Sequence, residues 1–212
     1  MNLTSSKTNT FTVQDLDSLL QDSYLLVVEL RQGASVQYSP DLWKRCEKQV
    51  KQVQEHLLDA GVSRRSIELI SLAQCALLDE VILSCAKNDA RAKWASQPLQ
   101  AWFFNSQQAS EFLYDDMREA LRQHAPDVLV LTAFQRVLMF GLLGRYSDVK
   151  HPERQQLLAA LNTRAAPPVL SQLVIKEASG QQMNLLHRLR SPLVHILIVG
   201  LLLMGVWWGL GQ

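Results

Sequence analysis

From Pro192 to Leu210 the chain reads PLVHILIVGLLLMGVWWGL, nineteen residues with no formal charge except one that His195 can carry. As an α-helix this run is roughly 28 Å long, about one hydrocarbon core. Its eleven Leu, Ile and Val residues favour insertion by roughly 0.3 to 0.6 kcal/mol each, enough to carry one neutral histidine near the end. The run is expected to cross a membrane once. The alternative, a buried helix of a soluble protein, needs more chain to wrap it than Gly211 and Gln212. Arg188 and Arg190 precede the run and no basic residue follows it. The positive-inside rule therefore keeps the preceding residues in the cytoplasm, and Trp207 and Trp208 fall at the far interface. Gly205 and Gly209 form a GxxxG that lets a second helix approach. His195, one turn inside the boundary, is read as interfacial rather than as a proton relay.

Upstream the hydrophobic period is helical almost throughout. Thr12 with Asp15 can cap a helix carrying Leu16, Leu19, Leu20, Leu26, Val27 and Leu30 and stopping at Gly33. Ser39 and Pro40 open a second, ending at Gly61, and Ser63 opens a third through IELISLAQCALLDEVIL. The stretch WASQPLQAWFFN is short, aromatic and broken by Pro98; Ser106 or Ser110 starts the next helix. Asp127 precedes VLVLTAFQRVLMFGLL, which Gly144 can end, and Pro152 opens a last, more polar helix. The segments Ile67 to Leu83 and Val128 to Leu143 are apolar nearly all round, so they belong in the middle and should pack on each other. No alternating strand with a hairpin turn is present in the sequence. The expectation is an all-α chain of about seven helices: a helical domain over 1–163, a Pro- and Gly-containing connector over 164–191, a membrane helix over 192–210, and residues 211–212 beyond it.

A net charge of +1 offers no basic field for nucleic acid and no acidic field for cationic partners. The N-terminus lacks a cationic stretch followed by an apolar run, so it is not read as a secretory signal. Cys46, Cys75 and Cys85 are expected as reduced thiols. No CxxC or HExxH spacing suggests a metal, and no cofactor is expected.

Two adjacent acids, Asp79 and Glu80, interrupt the most apolar helix. A carboxylate there is costly unless something pairs with it. At 100° per residue the two diverge, Glu80 toward the side of Leu69, Ala73 and Ala76, and Asp79 toward Glu68 and Leu72. Divergence does not suit a shared-proton dyad, and no further acid, histidine or thiol pattern lies nearby to complete a metal or nucleophile site. One acid is expected to pair with Arg136 or Arg145 of the other central helix, and the other to line a cleft that receives a partner protein.

LLDEVIL, then Trp94, Gln97 and Leu99, then Phe103 and Phe104 before EFLYDDMREAL, then FGLLGRYS and a single C-terminal membrane helix: this order resembles the DotU/TssL family. Those are inner-membrane subunits of the bacterial type VI secretion system. YLLVVELRQG, Tyr24 to Gly33, is similar to the family's first helix, and the resemblance covers roughly Leu16 to Leu210. It implies a hook of two small packed helical bundles and a non-enzymatic scaffold in the membrane complex. The implied partners are the large IcmF/TssM-type inner-membrane subunit, cytoplasmic baseplate proteins, and a second copy as a homodimer through the membrane helix. Residues 211–212 would then be periplasmic. Asp79 and Glu80 correspond to the family's acidic pair at the cleft between bundles, and Gly144, Arg145 and Tyr146 match its GxY ending. The chain departs from the family's usual glycine-rich turns at CAKNDARAKW and QASEF.

Two other readings stand beside this one. A tail-anchored regulatory protein with a groove for a partner helix fits the tail and the bundle, but the chain lacks the glycine-arginine signature near its central helix. A membrane-bound enzyme using Asp79 and Glu80 has no convergent group to support it.

Overall fold

The structure, a computed structural model, describes residues 11–34, 40–105 and 109–166. Every regular element among them is an α-helix: α1 (Val13–Arg31), α2 (Pro40–Asp59), α3 (Arg64–Cys85), α4 (Asn88–Ser96), α5 (Leu99–Phe104), α6 (Ala109–Arg122), α7 (Val128–Met139) and α8 (Pro152–Arg164). The all-α class is as expected, with eight helices among the described residues in place of about seven. The increase comes at Pro98, which lacks an N–H and keeps Gln97 out of helical geometry, so two short helices flank it.

Local signals set most boundaries. Thr12 and Asp15 form the capping box at the start of α1, with the Thr12 N–H donating to Asp15 at 2.8 Å. Ser63 caps α3. Asp127 accepts the Leu129 N–H at 2.8 Å and also the Ser66 hydroxyl, tying the starts of α7 and α3 together. The expected stop of α7 at Gly144 is corrected: the helix ends at Met139. Gly141, at φ +86, makes the left-handed turn, with its N–H on Leu138 and the Leu142 N–H on Val137. A Cβ there would lie 2.8 Å from the Arg31 guanidinium, the movable end of an exposed side chain, so it is the positive φ that calls for glycine.

α3 is the axis. Fifteen of its 22 residues are buried, which only a helix covered on all sides can show. α7 packs along it as expected, and α1, α2, α4, α5 and α6 cover its other faces. Residues from all eight helices join one hydrophobic core, so the two bundles implied by the resemblance are two sides of one packed unit. Truncating a central residue such as Leu77 to alanine should cost roughly 2 to 5 kcal/mol. Cys46 and Cys75 are buried free thiols and Cys85 is a partly buried one. Burial pushes the Cys46 thiol up to about 12, so it packs as a neutral group.

The expected connector beyond Ala166 lies outside the described residues. So does the expected membrane run with Arg188, Arg190, Pro192, Gly205, Trp207, Trp208 and Gly209. Among the described residues no helix is long and apolar enough to cross a membrane.

Candidate functional site

The acid pair sits near the C-terminal end of α3, where the two carboxylates leave the helix in different directions. Asp79 points into the core and is 2% exposed. Its Oδ1 accepts from the Trp94 indole at 2.8 Å and the Leu99 N–H at 2.9 Å. Its Oδ2 accepts from the Gln100 N–H at 3.0 Å and the Gln100 side-chain amide at 3.2 Å. Leu99 and Gln100 open α5, whose own N-cap, Pro98, has no side-chain acceptor to offer. Asp79 therefore caps α5 from a neighbouring helix and pins α4 to it through Trp94. All four donors belong to neutral residues. Burial pushes the Asp79 carboxyl above its usual range, and the N–H donors draw it partway back.

Glu80 is half-buried and reaches the other way. Its carboxylate accepts the Leu143 N–H at 2.8 and 3.0 Å and the Gly144 N–H at 2.7 Å. These are consecutive donors just beyond α7, with Gly144 at φ +55, a backbone turn of the kind that cradles anions. The carbonyls of the same loop are held by other helices. Buried Arg154 of α8 donates to Leu138 at 2.6 Å, Leu142 at 2.9 Å and Val149 at 3.0 Å. The Tyr114 hydroxyl of α6 lies 3.2 and 3.0 Å from the Leu142 and Leu143 carbonyls. An anion on the N–H groups and a cation on the carbonyls thus fix the α7–α8 loop from two sides.

The expected pairing of an acid with Arg136 or Arg145 is corrected. Arg136 makes a two-pronged pair with Asp17 of α1 at 2.9 and 2.8 Å. Arg145 donates to Asp115 at 2.8 Å and lies 5.5 Å from the centre of the Tyr114 ring. Both acids instead take uncharged N–H donors. The hydrogen bond from Arg145 lowers the Asp115 carboxyl, and Asp115 in turn raises Arg145. Tyr146 is buried, accepts from Arg118 at 2.9 Å and donates to Glu153 at 2.8 Å. The structure thus gathers Glu80, Arg145 and Tyr146 around one loop and sends Asp79 to the α4–α5 corner.

Three residues central to this arrangement, Tyr114, Arg154 and Asp115, were not legible as site residues. Arg154 lies in a polar helix where an inward arginine looks like any exposed one. Its one signal is the need for a donor at the carbonyl end of α7. No group of three or more His, Cys, Asp or Glu side chains that could hold a metal occurs among the described residues.

The sequence profile of the type VI secretion system protein DotU matches residues 15–211. No curated protein sequence matches the chain. Among solved structures, the type VI secretion SciP/TssL of enteroaggregative Escherichia coli 042 is 35% identical. That match covers 73% of this chain and 94% of that one, with a TM-score of 0.63. The cytoplasmic domain of TssL from Acinetobacter baumannii shares the fold at 21% identity and a TM-score of 0.63, covering 70% of this chain and 95% of that one. The chain belongs to the DotU/TssL family of type VI secretion system proteins.

Proposed function

We propose that this chain is a non-enzymatic scaffold subunit of the type VI secretion membrane complex, anchored in the bacterial inner membrane by 192–210 with residues 1–163 in the cytoplasm. It links the IcmF/TssM-type inner-membrane subunit to baseplate proteins, and self-associates through Gly205 and Gly209. The observation that carries this reading is that the family match runs from the first helix through the whole apolar tail. Within the helical domain, the partner-binding surface is the α7–α8 loop around Arg145 and Tyr146. Asp79 and Glu80 act from behind that surface. With Asp79 only 2% exposed, its contribution to docking is to hold a wall of the cleft in place rather than to touch a partner.

The test is purification from membranes with identification of what accompanies the chain. Resistance to alkaline extraction, cleavage by protease added from the cytoplasmic side, and co-purification of the large inner-membrane subunit and baseplate proteins are expected. Release by alkali would remove the anchor; a clean membrane protein without companions would remove the scaffold role.

A further inference from the structure

The outer side of the α4–α5 corner, where α2 meets it, takes no part in the hydrogen bonds around Asp79 and Glu80. The first half of α2 meets the α4–α5 junction, where the Trp43 indole donates to the Gln97 carbonyl at 2.9 Å and the Trp43 and Trp102 rings meet edge to face at 5.4 Å. Trp102 is 52% exposed, an apolar side chain of a size that folding alone would bury. Charge is concentrated on the same elements. Residues 40–51 and 87–104 carry seven cations and three anions, while the other described residues carry ten cations and sixteen anions.

The first turn of α2 carries Asp41 and the cations follow it, beyond the reach of the helix dipole; Lys51 pairs with Glu47 at 2.7 Å. Lys44, Lys48 and Lys51 recur at i, i+4 and i+7, so they share the outer stripe of the helix, opposite buried Cys46, Val50 and Val53.

We infer that this face, Trp102 and Trp43 together with exposed Lys44 and Lys48 of α2 and Lys87 and Arg91 at the start of α4, rests on an anionic lipid surface. Basic side chains are drawn to lipid phosphates, and an exposed indole suits the headgroup layer, apolar in its ring and polar at its N–H. This rests on the membrane-anchor reading for what brings lipid near the domain; the basic, aromatic character of the face stands without it.

The test is lysine acetylation read residue by residue on the full chain in two sets of nanodiscs: phosphatidylcholine alone, and phosphatidylcholine with about one third phosphatidylglycerol. Several-fold lower labelling of Lys44, Lys48 and Lys87 in the anionic discs is expected, with Lys150 of the α7–α8 loop unchanged. The protection should vanish at about 1 M salt, where screening acts within about 3 Å. Lys44→Glu with Lys48→Glu, both on exposed positions, should also abolish protection of Lys87. Equal labelling in the two discs overturns the inference and leaves the face to an acidic protein. Protection that grows with protein density in neutral discs also overturns it, in favour of a second copy. A chain that does not enter either disc fails the anchor reading instead; the face is then tested by the same labelling beside added vesicles of the two compositions.

Discussion

Asp79 and Glu80 are neighbours in sequence and do related work in two differently built regions. At the α4–α5 corner, Asp79 accepts from four N–H donors and is shut away from water. At the α7–α8 loop, Glu80 shares the task with Arg154 and Tyr114, and water reaches it. A buried group that gathers several donors leaves them stranded when it is lost, whereas a shared one leaves a loop still held from its other side. The two regions should therefore fail differently, although a sequence shows only DE.

The largest effect is expected from Asp79→Ala, which strands the Trp94 indole and the opening N–H groups of α5 in a dry site. Roughly 3 to 5 kcal/mol of stability should be lost, seen as a lower urea midpoint with early hydrogen exchange across α4 and α5. A variant within about 0.5 kcal/mol of the parent would mean that the corner does not depend on this carboxylate. Arg154→Met comes next, at about 2 to 3 kcal/mol, because a 2% exposed guanidinium leaves three carbonyls without their charged donor. Its exchange signature should appear at residues 138–150 and spare α5.

How much of this was legible beforehand follows from where the donors lie. The helices could be read because capping residues and apolar stripes act within a few residues of one another, as at Thr12 and Asp15 or along Ile67 to Leu83. The acid pair could be found because charge is rare in such a helix, and its divergence follows from the helical period. Its partners could not. An arginine announces itself as the mate of an acid, but backbone N–H groups are present at every residue, and only the fold decides that those of Leu99, Gln100, Leu143 and Gly144 are the unsatisfied ones. The same blindness put the end of α7 at Gly144, although Gly141 makes the turn and Gly144 presents its N–H to Glu80.

Acidity separates the two regions more finely. Burial holds the Asp79 carboxyl above 3.8 in the folded chain. A group whose pKa rises on folding binds its proton more readily when folded. Its contribution therefore grows as pH falls from the folded-state pKa to 3.8 and is lost as pH rises again. The stability advantage of the parent over Asp79→Asn should be smallest at neutral pH, widen through that window, and level off below it. Denaturant titrations at a series of pH values check this, and an advantage that shrinks on acidification would contradict it. For Glu80→Ala the loss should be about 1 to 2 kcal/mol, confined in exchange experiments to residues 140–147.

Glu80→Gln is expected to change least and to discriminate most. A glutamine Oε1 can still accept from Leu143 and Gly144, so the loop should keep its place and stability should fall by less than about 1 kcal/mol. The charge, however, is gone. If Glu80 serves docking by holding the loop, Glu80→Gln should capture baseplate proteins nearly as well as the parent, while Glu80→Ala captures them poorly. Loss of capture in both variants, with the loop still protected from exchange in Glu80→Gln, would mean that a partner reads the negative charge itself. The half-buried carboxylate would then face outward as well as holding the loop, and the contrast with Asp79 would become one of contact against support.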